Sequence, residues 1–97
     1  MNREDFIFTT GYDGNAAVVD SRAKKQYGKL STNELLEAGL FKPALCSAIF
    51  SKNDDEVKSV LEKYNSFTDK KLENEAQLKL VLGVQRLPEE ITETVQI

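Results

Sequence analysis

Residues 43–64 read PALCSAIFSKNDDEVKSVLEKY. This stretch decides the fold, because it spells two helices and the turn between them. Pro43 suits the first turn of a helix, where its missing N–H is no loss. Leu45, Ala48 and Ile49 then share one face. Asn53 is placed to cap a second helix, with Glu56 at the capping-box position three residues on. Val57, Val60, Leu61 and Tyr64 follow at i, i+3, i+4 and i+7, an apolar stripe. Asp54, Lys58 and Glu62 fall on the opposite, wet face. The connection is a few residues long, so the two helices are expected to be antiparallel neighbours.

Upstream, Ser31 and Glu34 form a second capping-box pattern, and Leu30 and Leu35 flank it at hydrophobic-staple spacing. Gly39 suits the left-handed position after a helix. A short helix is therefore expected from Thr32 to Ala38, preceded by a helical turn over Ser21–Tyr27 that stops at Gly28. Residues 5–20, DFIFTTGYDGNAAVVD, read as a β-hairpin. Phe6, Ile7, Phe8 and Thr9 are strand formers and Ala17–Val19 is the return strand. Gly11, Asp13, Gly14 and Asn15 supply the turn. Such a hairpin is marginal alone and must pack on helices or a third strand. Downstream, capping residues at Thr68 or Asp69 and helix formers thereafter predict a helix from Asp69 to Leu82. The apolar run at residues 78–84 is also a strand candidate beside the hairpin, with helix the favoured reading. Pro88, Glu89 and Glu90 are expected to open a last short helix over residues 88–95, with acids at the positive end of its dipole.

The chain has 97 residues, enough for one domain (1–97) with its own core and a stability on the order of 5–10 kcal/mol. Hydrophobic residues are 40% and charged residues 30%, the balance of a folded, water-exposed domain. A net charge of −3 argues against general nucleic-acid binding, which needs a basic surface. The single cysteine permits no internal disulfide and points to a reducing compartment. The start, MNREDFIFTT, has neither the basic n-region nor the apolar h-region of a signal peptide, and no run approaches the roughly 20 apolar residues that span a bilayer. A cytoplasmic protein is expected. Histidine is absent, which removes the commonest general base, the usual Cys/His zinc sets and every Ser-His or Cys-His nucleophile pair.

Residues 43–64 resemble the helix pair of an ankyrin repeat. Ala44, Leu45 and Ala48 match its first helix, and Asp55, Val57, Val60 and Leu61 its second. Small residues on the first helix let such pairs stack while the second helix fills the gap. The departures are specific. Pro43 stands where the family has its capping Thr, and Cys46 where it has His. Lys52 and Tyr64 replace the glycines that let the turn and loop bend. Fainter matches lie in DGNAAVVD with ELLEAG, and near Gln77. The resemblance covers the central third of the chain. It implies protein–protein recognition and no catalysis.

Each candidate site has a plainer explanation beside it. Residues 32–39 and 42–52 can be laid over a helix-turn-helix with Gly39 at the turn. The second helix, however, offers base edges few donors or acceptors. Arg22, Lys24, Lys25 and Lys29, with Tyr27 among them, form the one basic cluster, able to hold a phosphate, an RNA backbone or an acidic partner. It also reads as a solvated helix face. Asp13 and Asn15 around Gly14 lack the ligand spacing of a calcium loop. Asp54–Asp55 and Glu89–Glu90 are explained by helix N-termini without carboxylate chemistry. Cys46 flanks an apolar face and reads as a small, partly buried hydrophobe, with only Lys42 nearby to activate it. No glycine-rich phosphate loop occurs.

The expected fold is α+β, mostly α: an N-terminal hairpin packed on four to five short helices, with a degenerate ankyrin-like helical stack as the alternative. The expected function is a non-catalytic interaction or regulatory module without metal or cofactor. Its partner would be another protein or a second copy, met through exposed Phe41 and Phe50. The alternative is nucleic-acid or anionic-ligand binding through residues 22–29.

Overall fold

The computed structural model describes all of residues 1–97. Its elements run α1 (Arg3–Ile7), β1 (Thr9–Asp13), β2 (Ala16–Val19), α2 (Ser21–Tyr27), α3 (Thr32–Glu37), α4 (Phe41–Phe50), α5 (Asp54–Thr68) and α6 (Glu75–Leu82). A single 3-10 turn (Pro88–Glu90) and β3 (Glu93–Gln96) complete the chain.

Side-chain caps set most helix starts. The Glu34 backbone N–H donates to Ser31 Oγ at 3.2 Å, and the Ser31 N–H donates to the Glu34 carboxylate at 3.0 Å. This closes the expected capping box. Asn53 Oδ1 accepts from the Glu56 N–H at 3.1 Å and starts α5. That helix runs a full turn past Tyr64 and ends where Asp69 takes φ 59°.

Helix α4 is the hub. Its residues Ala44–Ala48 are all buried, and α1, α3, α5 and α6 pack on it. Ala44, Ser47 and Ala48 are small enough to admit neighbours on several sides at once. Phe6, Ile7, Leu35, Leu45, Val60 and Leu78 fill the space between these helices, and Val19 extends the core to the sheet.

The sheet order is β1-β2-β3. β1 and β2 pair antiparallel around a turn at Gly14 (φ 61°), with an irregularity between Thr9 and Gly11. β2 and β3 pair parallel, Ala16 opposite Glu93 through Val19 opposite Gln96. Ala17 and Val19 face the helices and are fully buried, while Ala16 and Val18 on the other face are partly open.

The fold is thus α+β and mostly helical, with the hairpin packed on helices as expected. Three boundaries differ. First, there are six α-helices, because Arg3–Ile7 is a helix and the hairpin's first strand begins only at Thr9. Asn2 Oδ1 accepts from the Asp5 N–H at 2.8 Å, and Glu4 and Asp5 sit at the positive end of the dipole. Phe6 and Ile7 are buried by that helix rather than by a strand. Second, residues 69–74 are a loop, and α6 starts at the Asn74 cap. The run at 78–84 is helical to Leu82, as expected, and is stopped by Gly83 at φ 76°. Third, residues 88–95 are not a helix. Only Pro88–Glu90 turns, and β-branched Thr94 and Val95 continue as a strand. This segment supplies the third strand. No helix is long and apolar enough to cross a membrane.

Candidate functional site

A cleft of about 550 Å³ opens where α4 ends and α5 begins, between α6 and the turn at Pro88. Ala48, Ile49, Phe50, Val57 and Leu87 form its apolar side. Phe50 ends α4, half-buried, with its ring 6.3 Å from that of Phe6. Lys52, Asp54, Glu75, Lys79 and Glu89 supply the charged rim. Glu75 and Lys79, one turn apart on α6, pair at 2.8 Å. Asp54 and Glu89 stay unpaired against Lys52, so the rim is acidic on balance. The rim is shaped by backbone as well as by charge: Lys52 turns the chain from α4 to α5 at φ 56°. This is a position suited to glycine, and one of the two at which the repeat resemblance lacks its glycine.

The surface residues expected from the sequence do not form one patch. Phe41 and Phe50 are the first and last residues of α4, about 14 Å apart along its axis. Neither is an exposed aromatic. Phe41 packs edge-on against Tyr64 at 5.3 Å and tilted against Phe67 at 5.3 Å. The exposed aromatic is Phe67, 75% accessible. It continues the α5 stripe one turn past Tyr64, beyond the reach of the core, which is the signal that finds it. Tyr27 stacks on Phe8 at 6.4 Å. Lys24 turns inward. Arg22, Lys25 and Lys29 are exposed, at i, i+3 and i+7, and make no ion pair.

Two polar networks tie the elements that frame these surfaces. In the first, Lys24 Nζ donates to Asp5 Oδ1 at 2.9 Å and to Gln96 Oε1 at 2.9 Å. Gln96 Nε2 donates to the same Asp5 oxygen at 3.1 Å, and Ser21 Oγ donates to Gln96 Oε1 at 3.1 Å. Burial pushes the Asp5 carboxyl up, but the bonds from Lys24 and Gln96 and the Lys24 charge outweigh it and hold the group below its ordinary value. In the second, Arg3 donates to the carbonyls of Gly28 and Leu30 and to Ser47 Oγ at 3.0 Å. Ser47 Oγ lies 2.7 Å from Thr32 Oγ1, which donates to Glu56 Oε1 at 2.8 Å. A cation on α1 is thereby linked through two buried hydroxyls to an anion on α5. No local sequence pattern announces either network.

Other candidates lose their chemistry to position. Cys46 is buried, and burial pushes its thiol up to about 12, with Lys42 acting the other way. A helix-turn-helix reading needs α4 free to enter a groove, yet Ala44–Ala48 lie in the core. Asp54 and Asp55 occupy the first turn of α5. The Tyr12 hydroxyl is buried without a hydrogen-bond partner, and desolvation pushes its phenol up. No group of three or more Cys, Asp or Glu side chains converges in metal-holding geometry. In comparisons with protein-family models, curated proteins and solved structures, nothing matches the chain.

Proposed function

We propose that this domain is a non-catalytic protein-recognition module and that the cleft beside Phe50 is its contact surface. One observation carries the reading: an apolar hollow of about 550 Å³ is framed by separately placed charges. That combination suits an apolar side chain of a partner segment in the hollow, with the rim setting its orientation. Unpaired Asp54 and Glu89 favour a segment with basic residues beside the apolar one. The resemblance of residues 43–64 to a recognition repeat supports the same class of function.

The test is crosslinked capture from native-host lysate with tagged protein, run beside two surface variants. One carries Asp54→Lys with Glu89→Lys at the cleft, the other (the α2 variant) Arg22→Ala and Lys25→Ala on α2 with Lys29→Ala in the turn after it. A protein held by wild type and by the α2 variant, but lost from the cleft variant, supports the proposal. A partner indifferent to the cleft variant rejects this surface.

A second reading, an anionic ligand or nucleic acid on the basic segment, rests on Arg22 and Lys25 of α2 and Lys29 of the turn after it, all exposed and unpaired. Oligonucleotide binding that falls steeply with salt and disappears in the α2 variant would support it.

A further inference from the structure

The two edges of the sheet are built differently. β1 is guarded: its register breaks between Thr9 and Gly11, and Gly11 and Asp13 are poor strand formers. β3 has no lysine, proline or bulge, and all four of its residues are exposed. The hydrogen bonds also fix which of its backbone groups are free. Ile97 donates its N–H to the Val19 carbonyl at 2.9 Å and accepts from the Ser21 N–H at 3.2 Å. Odd-numbered residues therefore face β2. By strand alternation, Thr94 and Gln96 turn their N–H and C=O groups toward the open edge.

We propose that β3 pairs antiparallel with β3 of a second copy about a two-fold axis through Val95, making one six-stranded sheet. In this register Thr94 stands opposite Gln96 of the second copy, and Gln96 opposite its Thr94. Both are hydrogen-bonded pairs, so every free group of the edge finds a partner. Val95 meets Val95 at the closer, non-hydrogen-bonded position. Val18, opposite Val95 in β2, continues this apolar row into each subunit on the face the helices leave uncovered. Glu93 stands opposite Ile97, so the two Glu93 carboxylates sit at opposite ends of the pair. Each comes to the strand end where α2 begins, with exposed Arg22 in its first turn. An axis through Thr94 fits worse. It sets Val95 against Glu93 and Gln96 against Thr92, whose N–H is already given to the Asn15 carbonyl. The surface is separate from the Phe50 cleft, and the proposal is independent of that reading.

Sedimentation equilibrium on the 97-residue chain, from about 10 µM to about 1 mM, tests the association. The expected result is a concentration-dependent dimer. Val95→Lys and Val95→Glu each weaken it about tenfold or more, because like charges then face each other across the axis. Mixed in equal amounts, the two variants associate again as a heterodimer. Thr94→Pro removes an outward N–H that β2 does not use. It leaves the circular dichroism unchanged and abolishes the dimer. A wild-type chain that stays monomeric at about 1 mM overturns the proposal. So does a dimer untouched by Thr94→Pro and by both Val95 variants, or a mixture that fails to restore association.

Discussion

Replacing Thr32 by valine removes one hydroxyl and almost no volume, and it cuts the chain that joins Arg3 to Glu56. Thr32 and Ser47 are each only 3% exposed. A threonine hydroxyl carries one proton. Glu56 takes it, so the proton between Thr32 and Ser47 belongs to Ser47. The valine variant therefore loses the bond to Glu56, loses the bond from Ser47, and strands the Ser47 donor. A neutral buried bond contributes about 1 kcal/mol, and a stranded buried hydroxyl costs about 1–2 kcal/mol. The bond to partly exposed Glu56 adds about 0.5–1 kcal/mol after allowance for solvent. The expected loss is about 2–4 kcal/mol. In urea, with a slope near 1 kcal/mol/M for a domain of this size, the midpoint followed by far-UV circular dichroism falls by about 2 M or more at unchanged slope. Adding Ser47→Ala removes the stranded group, and Arg3 keeps its two backbone carbonyls. The double variant should then cost less than the sum of the singles by about 1–2 kcal/mol. A valine variant within about 0.5 kcal/mol of wild type, or strict additivity of the pair, would refute the idea that the network acts as a unit.

The remaining expectations concern other parts of the fold. Asp5 titrates below its ordinary value in the folded chain, so its contribution is complete above the unfolded carboxyl pKa and fades as pH falls through the folded one. Lys24→Met should thus destabilise the protein at pH 7 and differ little from wild type near pH 2, as read from urea midpoints at each pH. Cys46, buried with its thiol near 12, should resist thiol reagents in the native state, with labelling that rises in step with unfolding as urea is added. Fast labelling in buffer would mean that α4 is not the core helix. Lys52 holds φ 56° without a glycine. Lys52→Gly should raise stability by about 0.5–1 kcal/mol by thermal or urea unfolding, and a loss would show that the turn is not strained.

Legibility in the sequence followed the range of the interaction. Ser31 with Glu34, and Asn53 with Glu56, close their caps within four residues, so composition and spacing exposed α3 and α5 together with the antiparallel α4–α5 pair. Gly39 marked a helix end for the same reason. Arg3–Ile7 was readable in principle from Asn2 and the acids after it, but Phe6, Ile7 and Phe8 have strand propensity and outweighed the cap. The Asn74 cap was likewise hidden by a run of helix formers beginning near Asp69. β3 was not legible, because its pairing rests on residues far upstream: Gln96 pairs with Val19 and bonds to Asp5. The candidate surfaces failed on the same ground. Which side of Phe41, Lys24 or Tyr27 faces water depends on Tyr64, Asp5 and Phe8, none of them a local neighbour.

The parallel register of β2 and β3 carries a consequence for synthesis. A ribosome makes the hairpin early and Glu93–Gln96 late, after the residues of every helix. Until then β2 presents a bare edge to the cell, and Lys24 has Asp5 as its only partner, without the Gln96 amide that completes the set. The nascent chain thus passes through a stage in which its helical hub can assemble while its sheet cannot, and that interval is when a chaperone has most to shield.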